Sequence, residues 1–117
     1  IPHPFDALRT PNFTRAQIEE IAPHIDAIET FNARCITNVP NEQAKTFAQS
    51  NGLLETVGSD AHSLLELGRA NLLMQDFCDA ESFLSALKSA QKLTKRSSPM
   101  VHFSSRFAKF YKNLIQK

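Results

Sequence analysis

Leu53-Leu54-Glu55-Thr56-Val57-Gly58-Ser59-Asp60-Ala61-His62 is the stretch on which the fold turns. Its first six residues form a short, mostly apolar run that predicts a strand over 53–58. That strand delivers Gly58-Ser59-Asp60-Ala61-His62 at its C-terminal end. Asp60 and His62 are two apart, and in extended backbone such residues point the same way. Both could then face one metal ion, and a carboxylate with an imidazole suits Zn, Mn or Fe. The same pair also occurs as a turn aspartate beside a surface histidine, and the spacing alone does not choose between the two.

Upstream, the pattern predicts a helix over 41–51, with Asn41 as its cap, Ala44, Phe47 and Ala48 on its buried face, and Gly52 at the C-terminal cap. A loop holding Asn32, Arg34 and Pro40 precedes it, and residues 25–31 read as a strand. Before that, 14–22 reads as a helix. Thr14 and Gln17 match a capping box, Phe13 and Ile18 have the spacing of a hydrophobic staple, and Pro23 stops the helix. Residues 1–4 look like the end of a strand. His3 there lies between Pro2 and Pro4, whose fixed backbone is useful for aiming a metal ligand; the competing reading is a buried histidine bonded to a backbone carbonyl.

Downstream, 63–75 is mixed, and its second half reads as a strand. A helix is expected over 80–92, capped by Asp79, with Phe83, Leu84, Leu87 and Ala90 on one face. Residues 94–100 read as a polar linker. A last helix over 104–116 is expected to gather Phe103, Phe107, Phe110, Tyr111, Leu114 and Ile115 on one side. Such a stripe fits packing onto this chain or a partner. Ringed by Arg106, Lys109, Lys112 and Lys117, it also fits an anionic lipid surface.

Strands alternating with helices imply parallel pairing through βαβ units. So few strands seldom close a sheet with both faces covered, which points to part of a larger barrel or sheet. The exposed strand edges would offer a route to oligomers. His3, Asp60 and His62 each fall at the C-terminal end of an expected strand, the end where βα folds build sites.

The chain has 117 residues, 42% apolar and 21% charged, the balance of a soluble globular domain or a piece of one. No apolar run approaches the roughly 20 residues that span a bilayer, and no secretory signal opens the sequence. Cys35 and Cys78 stand in no metal or redox spacing, which fits free thiols in a reducing cytoplasm. Cys35, near the expected site mouth, reads as a reactive thiol or an inert loop cysteine. His24 and His102 read as surface or structural residues. The first residue is Ile1, not methionine, which reads as an internal fragment or a cut chain. Residues 1–81 hold all 12 acids and 5 bases, whereas 82–117 hold 8 bases and no acid. The basic segment either meets phosphate, nucleic acid or an acidic partner, or packs against the acidic remainder.

His3-Pro4-Phe5, Glu29-Thr30-Phe31-Asn32-Ala33-Arg34, the Asn41/Ala44/Ala48 helix, Gly58-Ser59-Asp60-Ala61-His62 and Glu66-Leu67-Gly68 occur in an order and spacing that resembles the C-terminal half of a PHP domain, the polymerase and histidinol phosphatase superfamily. The resemblance covers roughly residues 1–90, so residues 1–93 are expected to form the C-terminal portion of the barrel and 94–117 a basic linker with an amphipathic helix.

The resemblance implies an α/β fold, part of a distorted (β/α)7 TIM-like barrel with two or three divalent ions at the strand C-termini. It implies hydrolysis of phosphoesters by metal-bound hydroxide, on a phosphorylated small molecule, a nucleotide or a nucleic-acid end. His3, Asp60 and His62 would be metal ligands. Arg34 and Arg9 would meet a substrate phosphate, since guanidinium matches that geometry. Glu29 and Asn32 would orient loops and ligands. The His-x-His motif and further ligands with which family members open do not occur in this sequence. The fragment alone is therefore expected to be inactive or nearly so. The rival expectation is a non-catalytic module of PHP descent that binds nucleic acid or a protein through its basic segment.

Overall fold

The computed structural model of the chain describes residues 1–8, 13–98 and 100. Arg9, His102, the expected helix over 104–116 and its aromatic stripe lie outside the described residues.

Helix α1 spans Arg15–Ile21 and begins as its sequence requires. The Thr14 hydroxyl accepts from Gln17 N–H while the Gln17 side chain accepts from Thr14 N–H, a complete capping box. A 3-10 turn, Ala22–His24, follows with Pro23 in its first positions. Strand β1 is Ala27–Asn32, with Ile28, Thr30 and Asn32 buried and the alternate residues half-buried. That period of two puts one face of the strand against helix α2, Val39–Asn51.

Helix α2 starts earlier than its sequence suggests, and Asn41 is not its cap. Asn38 stands at the N-cap, and Pro40 occupies the first turn, where its preset φ and missing N–H are tolerated. Asn41, freed from capping, is buried and bonds the backbone of Asn32 instead, accepting from its N–H at 3.0 Å and donating to its carbonyl at 3.4 Å. The other end is as expected: Gly52 sits at φ 65°, left-handed, and closes the helix through its N–H to the Ala48 carbonyl.

The core gathers Ile18, Ala22, Ile28, Phe47 and Ala48, with Ile1, Phe5 and Leu53 packed on its margin. Phe5 meets Phe47 edge to face at 5.6 Å between ring centres. Burying each large side chain contributes roughly 1.5–3 kcal/mol, so this cluster is what fixes α1 and α2 on β1.

Strand β2, Leu54–Gly58, pairs parallel with β1, from Ala27 opposite Leu54 to Asn32 opposite Gly58. The β1–α2–β2 unit is thus the βαβ crossover expected. A 3-10 turn, Leu64–Glu66, leads to β3, Ala70–Leu73. Helix α3 spans Ala80–Lys88, capped by Asp79 in a reciprocal arrangement with Ser82. It is shorter than the expected 80–92, because Gln91–Thr94 forms a further strand, β4. β4 pairs antiparallel with β3, so parallel pairing does not extend through the chain. All four residues of β4 are exposed, and an edge strand without an apolar face leaves no periodic signal to read. Beyond β4, the N–H groups of Lys95 and Ser97 donate to the carbonyls of Arg69 and Ala33. The described residues are a mixed α/β arrangement of two two-stranded sheets, without closure into a barrel.

β4 is tied to β2 by Lys92, whose ammonium lies 2.6 Å from the Glu55 carboxylate; Thr30 donates to the same carboxylate at 2.9 Å. Burial pushes the Glu55 carboxyl up. The Lys92 and Thr30 hydrogen bonds and the charges of Lys92 and Lys45 outweigh it, and the group lies below its ordinary value. A lowered folded value means that its contribution is present above the unfolded carboxyl value and is lost as pH falls through the folded one. Lys92 is 39% exposed, so the effect is small, about 0–1 kcal/mol. Urea denaturation near neutral pH and at about pH 3 should show Lys92→Met losing less stability on acidification than the parent, because the strongest influence lowering Glu55 is removed. Equal losses would mean that the pair is not coupled to folding.

Candidate functional site

Parallel pairing brings the C-terminal ends of β1 and β2 to one edge. Asn32 ends β1 opposite Gly58, and Ala33 N–H donates to the Gly58 carbonyl at 2.9 Å. Segment 1–3 joins the same edge, since Glu29 N–H donates to the Ile1 carbonyl at 3.0 Å. Three separate stretches of sequence therefore meet where the spacing suggested a site.

Asn32 is the hub. It is 1% exposed, and its amide nitrogen donates to Glu29 Oε2 at 3.0 Å and to Asp60 Oδ2 at 3.2 Å. Its amide oxygen accepts from Arg34 N–H at 3.0 Å. Glu29 Oε2 also accepts from His3 N–H at 2.6 Å. Among the described residues, two that are not glycine have left-handed backbone, His3 at φ 31° and Asp60 at φ 49°. Such conformations persist where surrounding bonds hold them, and both lie in this network.

His62 Nδ1 lies 2.8 Å from the Asp60 carbonyl oxygen and 3.8 Å from Asp60 Oδ1. A carbonyl only accepts, so Nδ1 is the donor of this bond, which in the neutral imidazole leaves Nε2 with the lone pair. That tautomer suits an imidazole that ligates through Nε2. The Asp60 carboxylate, fixed by Asn32, is an oxygen donor beside it. The donor chemistry fits part of a divalent-metal site. It is not a full set: among the described residues, no three His, Cys, Asp or Glu side chains come together as a metal cradle. His3 reaches the network through its backbone.

Below the Asp60–His62 turn lies Glu66, 1% exposed. Its Oε2 accepts from His62 N–H at 3.1 Å and from the Ser63 hydroxyl at 2.9 Å, and its Oε1 lies 3.1 Å from Arg34 Nη1. Arg34, expected to meet a substrate phosphate, is 4% exposed and set against Glu66 in the interior. Cys35 is buried as well, and its thiol donates to Asp6 Oδ2 at 3.6 Å, so it does not stand open at a site mouth. His24 is exposed, as expected. Sequence reading missed the roles of Asp6 and Glu66. Glu66 follows Ser63 at the spacing of a carboxylate that accepts from the turn before it, and that was the available signal.

Residues 38–91 match the family model described as PHP-associated. The chain is similar to an uncharacterized protein of Methanocaldococcus jannaschii, with 31% identity over 98 residues, covering 75% of this chain and 41% of that protein. It thus spans less than half the length of the curated relative it matches. No solved structure matches it at a significant level. Among the described residues, no helix is long and apolar enough to cross a membrane. The match over residues 38–91, which hold α2, β2, the Asp60–His62 turn and Glu66, supports a C-terminal part of a PHP-associated domain in this chain.

Proposed function

We propose that the chain is part of a metal-dependent phosphoesterase, its β1–α2–β2 unit belonging to a distorted seven-stranded βα barrel. The observation that carries this reading is the Asp60–His62 turn at the C-terminal edge of the parallel strands, with His62 held in the Nε2-ligating tautomer beside the Asp60 carboxylate. Asp60 and His62 would hold a divalent ion, Zn, Mn or Fe, and His3 would approach from the neighbouring edge. Such an ion polarises a phosphoryl oxygen and lowers the pKa of water near it. Asn32 fixes the Asp60 carboxylate, and Glu29 fixes the backbone of His3. Further ligands would be needed to complete the site, since no three His, Cys, Asp or Glu side chains come together among the described residues. The substrate class is a phosphorylated small molecule or a nucleotide.

Calorimetric titration of the chain with Zn or Mn tests the reading. The chain should bind, and Asp60→Ala or His62→Ala should each weaken binding by about tenfold or more, since each removes a direct ligand. With only these ligands, release of phosphate from an aryl phosphate should be slight even with metal added. An absence of binding by the parent, or a His62→Ala variant that binds as tightly, would sink the assignment.

A further inference from the structure

The turn between His62 and β3 is built inside out. Leu64, Leu65 and Leu67 are 85%, 81% and 64% exposed, while Glu66 among them is 1% exposed. Core packing cannot explain this, because apolar burial favours the leucines inside and an ionised carboxylate outside. The turn places one carboxylate, and its contacts show where it is applied. One oxygen receives His62 N–H and the Ser63 hydroxyl, and the other faces Arg34, itself 4% exposed and bonded through its N–H to Asn32.

We propose that Glu66 is a positioning residue for metal binding, one carboxylate oxygen holding the backbone of His62 while the other lies against Arg34. Arg34 N–H and Asp60 Oδ2 share Asn32, so the pair joins the network on both sides of the turn. Arg34 then serves the site from within, without touching substrate. This inference rests on the metal-dependent reading above.

Two double variants separate positioning from bulk stability. Arg34→Met with Glu66→Gln removes the buried charges but leaves an acceptor for His62 N–H. Arg34→Met with Glu66→Leu removes the charges and the acceptor together. Zn affinity of the full chain should stay near the parent's in the Gln variant and fall about 10–100-fold in the Leu variant. Amide exchange at His62, relative to Ile28, should be about tenfold faster in the Leu variant than in the Gln variant. Ser63→Ala, at an exposed position, removes a single bond to Glu66 and should give a smaller change in the same direction, which keeps the test open if a double variant does not fold. Equal affinities and equal exchange at His62 in the two double variants, or an unchanged Ser63→Ala where they fail to fold, would overturn the proposal. If the parent binds no Zn, the metal-dependent reading falls, and His62 exchange alone decides whether Glu66 holds the turn.

Discussion

Arg34→Met alone is expected to lower stability by about 3–5 kcal/mol, the usual cost of stranding one member of a buried ion pair. Glu66 would remain 1% exposed, with only His62 N–H and the Ser63 hydroxyl facing it among the described residues. Two neutral donors do not replace a guanidinium 3.1 Å away. A loss of that size is a large part of the roughly 5–15 kcal/mol that holds a domain folded. Urea denaturation would read it directly. The double variant Arg34→Met with Glu66→Gln should be markedly more stable than Arg34→Met, because the second change removes the stranded charge. If Arg34→Met unfolds like the parent, the ion pair is not what anchors the turn.

Which parts of this arrangement could be read in advance follows from the kind of signal each leaves. The capping box at Thr14, the stop at Gly52 and the βαβ crossover were legible, because caps and apolar periods are local in sequence. β4 was not, since an exposed edge strand has no apolar face, and Gln91-Lys92-Leu93-Thr94 continues a helical run just as well. Asn41 was assigned to the wrong partner for a related reason. A cap is inferred from neighbours along the chain, whereas its actual partner, Asn32, lies nine residues back and comes near only when β1 meets α2. At the site, the spacing argument took Asp60 and His62 as extended backbone, whereas Asp60 is left-handed at φ 49° and the two meet through the His62 Nδ1 bond to the Asp60 carbonyl. The Arg34–Glu66 pair was not legible, because the two residues are far apart in sequence: Arg34 reads as a phosphate contact and Glu66 only as part of the Glu66-Leu67-Gly68 stretch until the fold buries them together.

Gly58→Ala is expected to disturb the site with little strain in the strand itself. Gly58 ends β2 without a left-handed φ, so alanine is compatible with its backbone. The obstacle is Glu29: a Cβ at Gly58 would stand 2.0 Å from Glu29 Oε1, closer than atoms can approach. The carboxylate must swing away. That end of the side chain would move easily if it were loose, but its other oxygen is held by His3 N–H at 2.6 Å and by Asn32 at 3.0 Å. Hydrogen bonds to a charged group contribute about 1.5–3 kcal/mol, and a net loss of that order is expected as water replaces part of what is given up. The left-handed backbone at His3 would lose the bond at its N–H, and Asn32 would be left with Asp60 as the carboxylate partner of its amide nitrogen. The measurement is a double-mutant cycle. In a Glu29→Ala background the added methyl meets no carboxylate, so Gly58→Ala should then be close to neutral in urea denaturation, a non-additivity of about 1.5 kcal/mol or more. If Gly58→Ala costs the same with and without Glu29, the packing of Glu29 over Gly58 is not what sets this edge of the site.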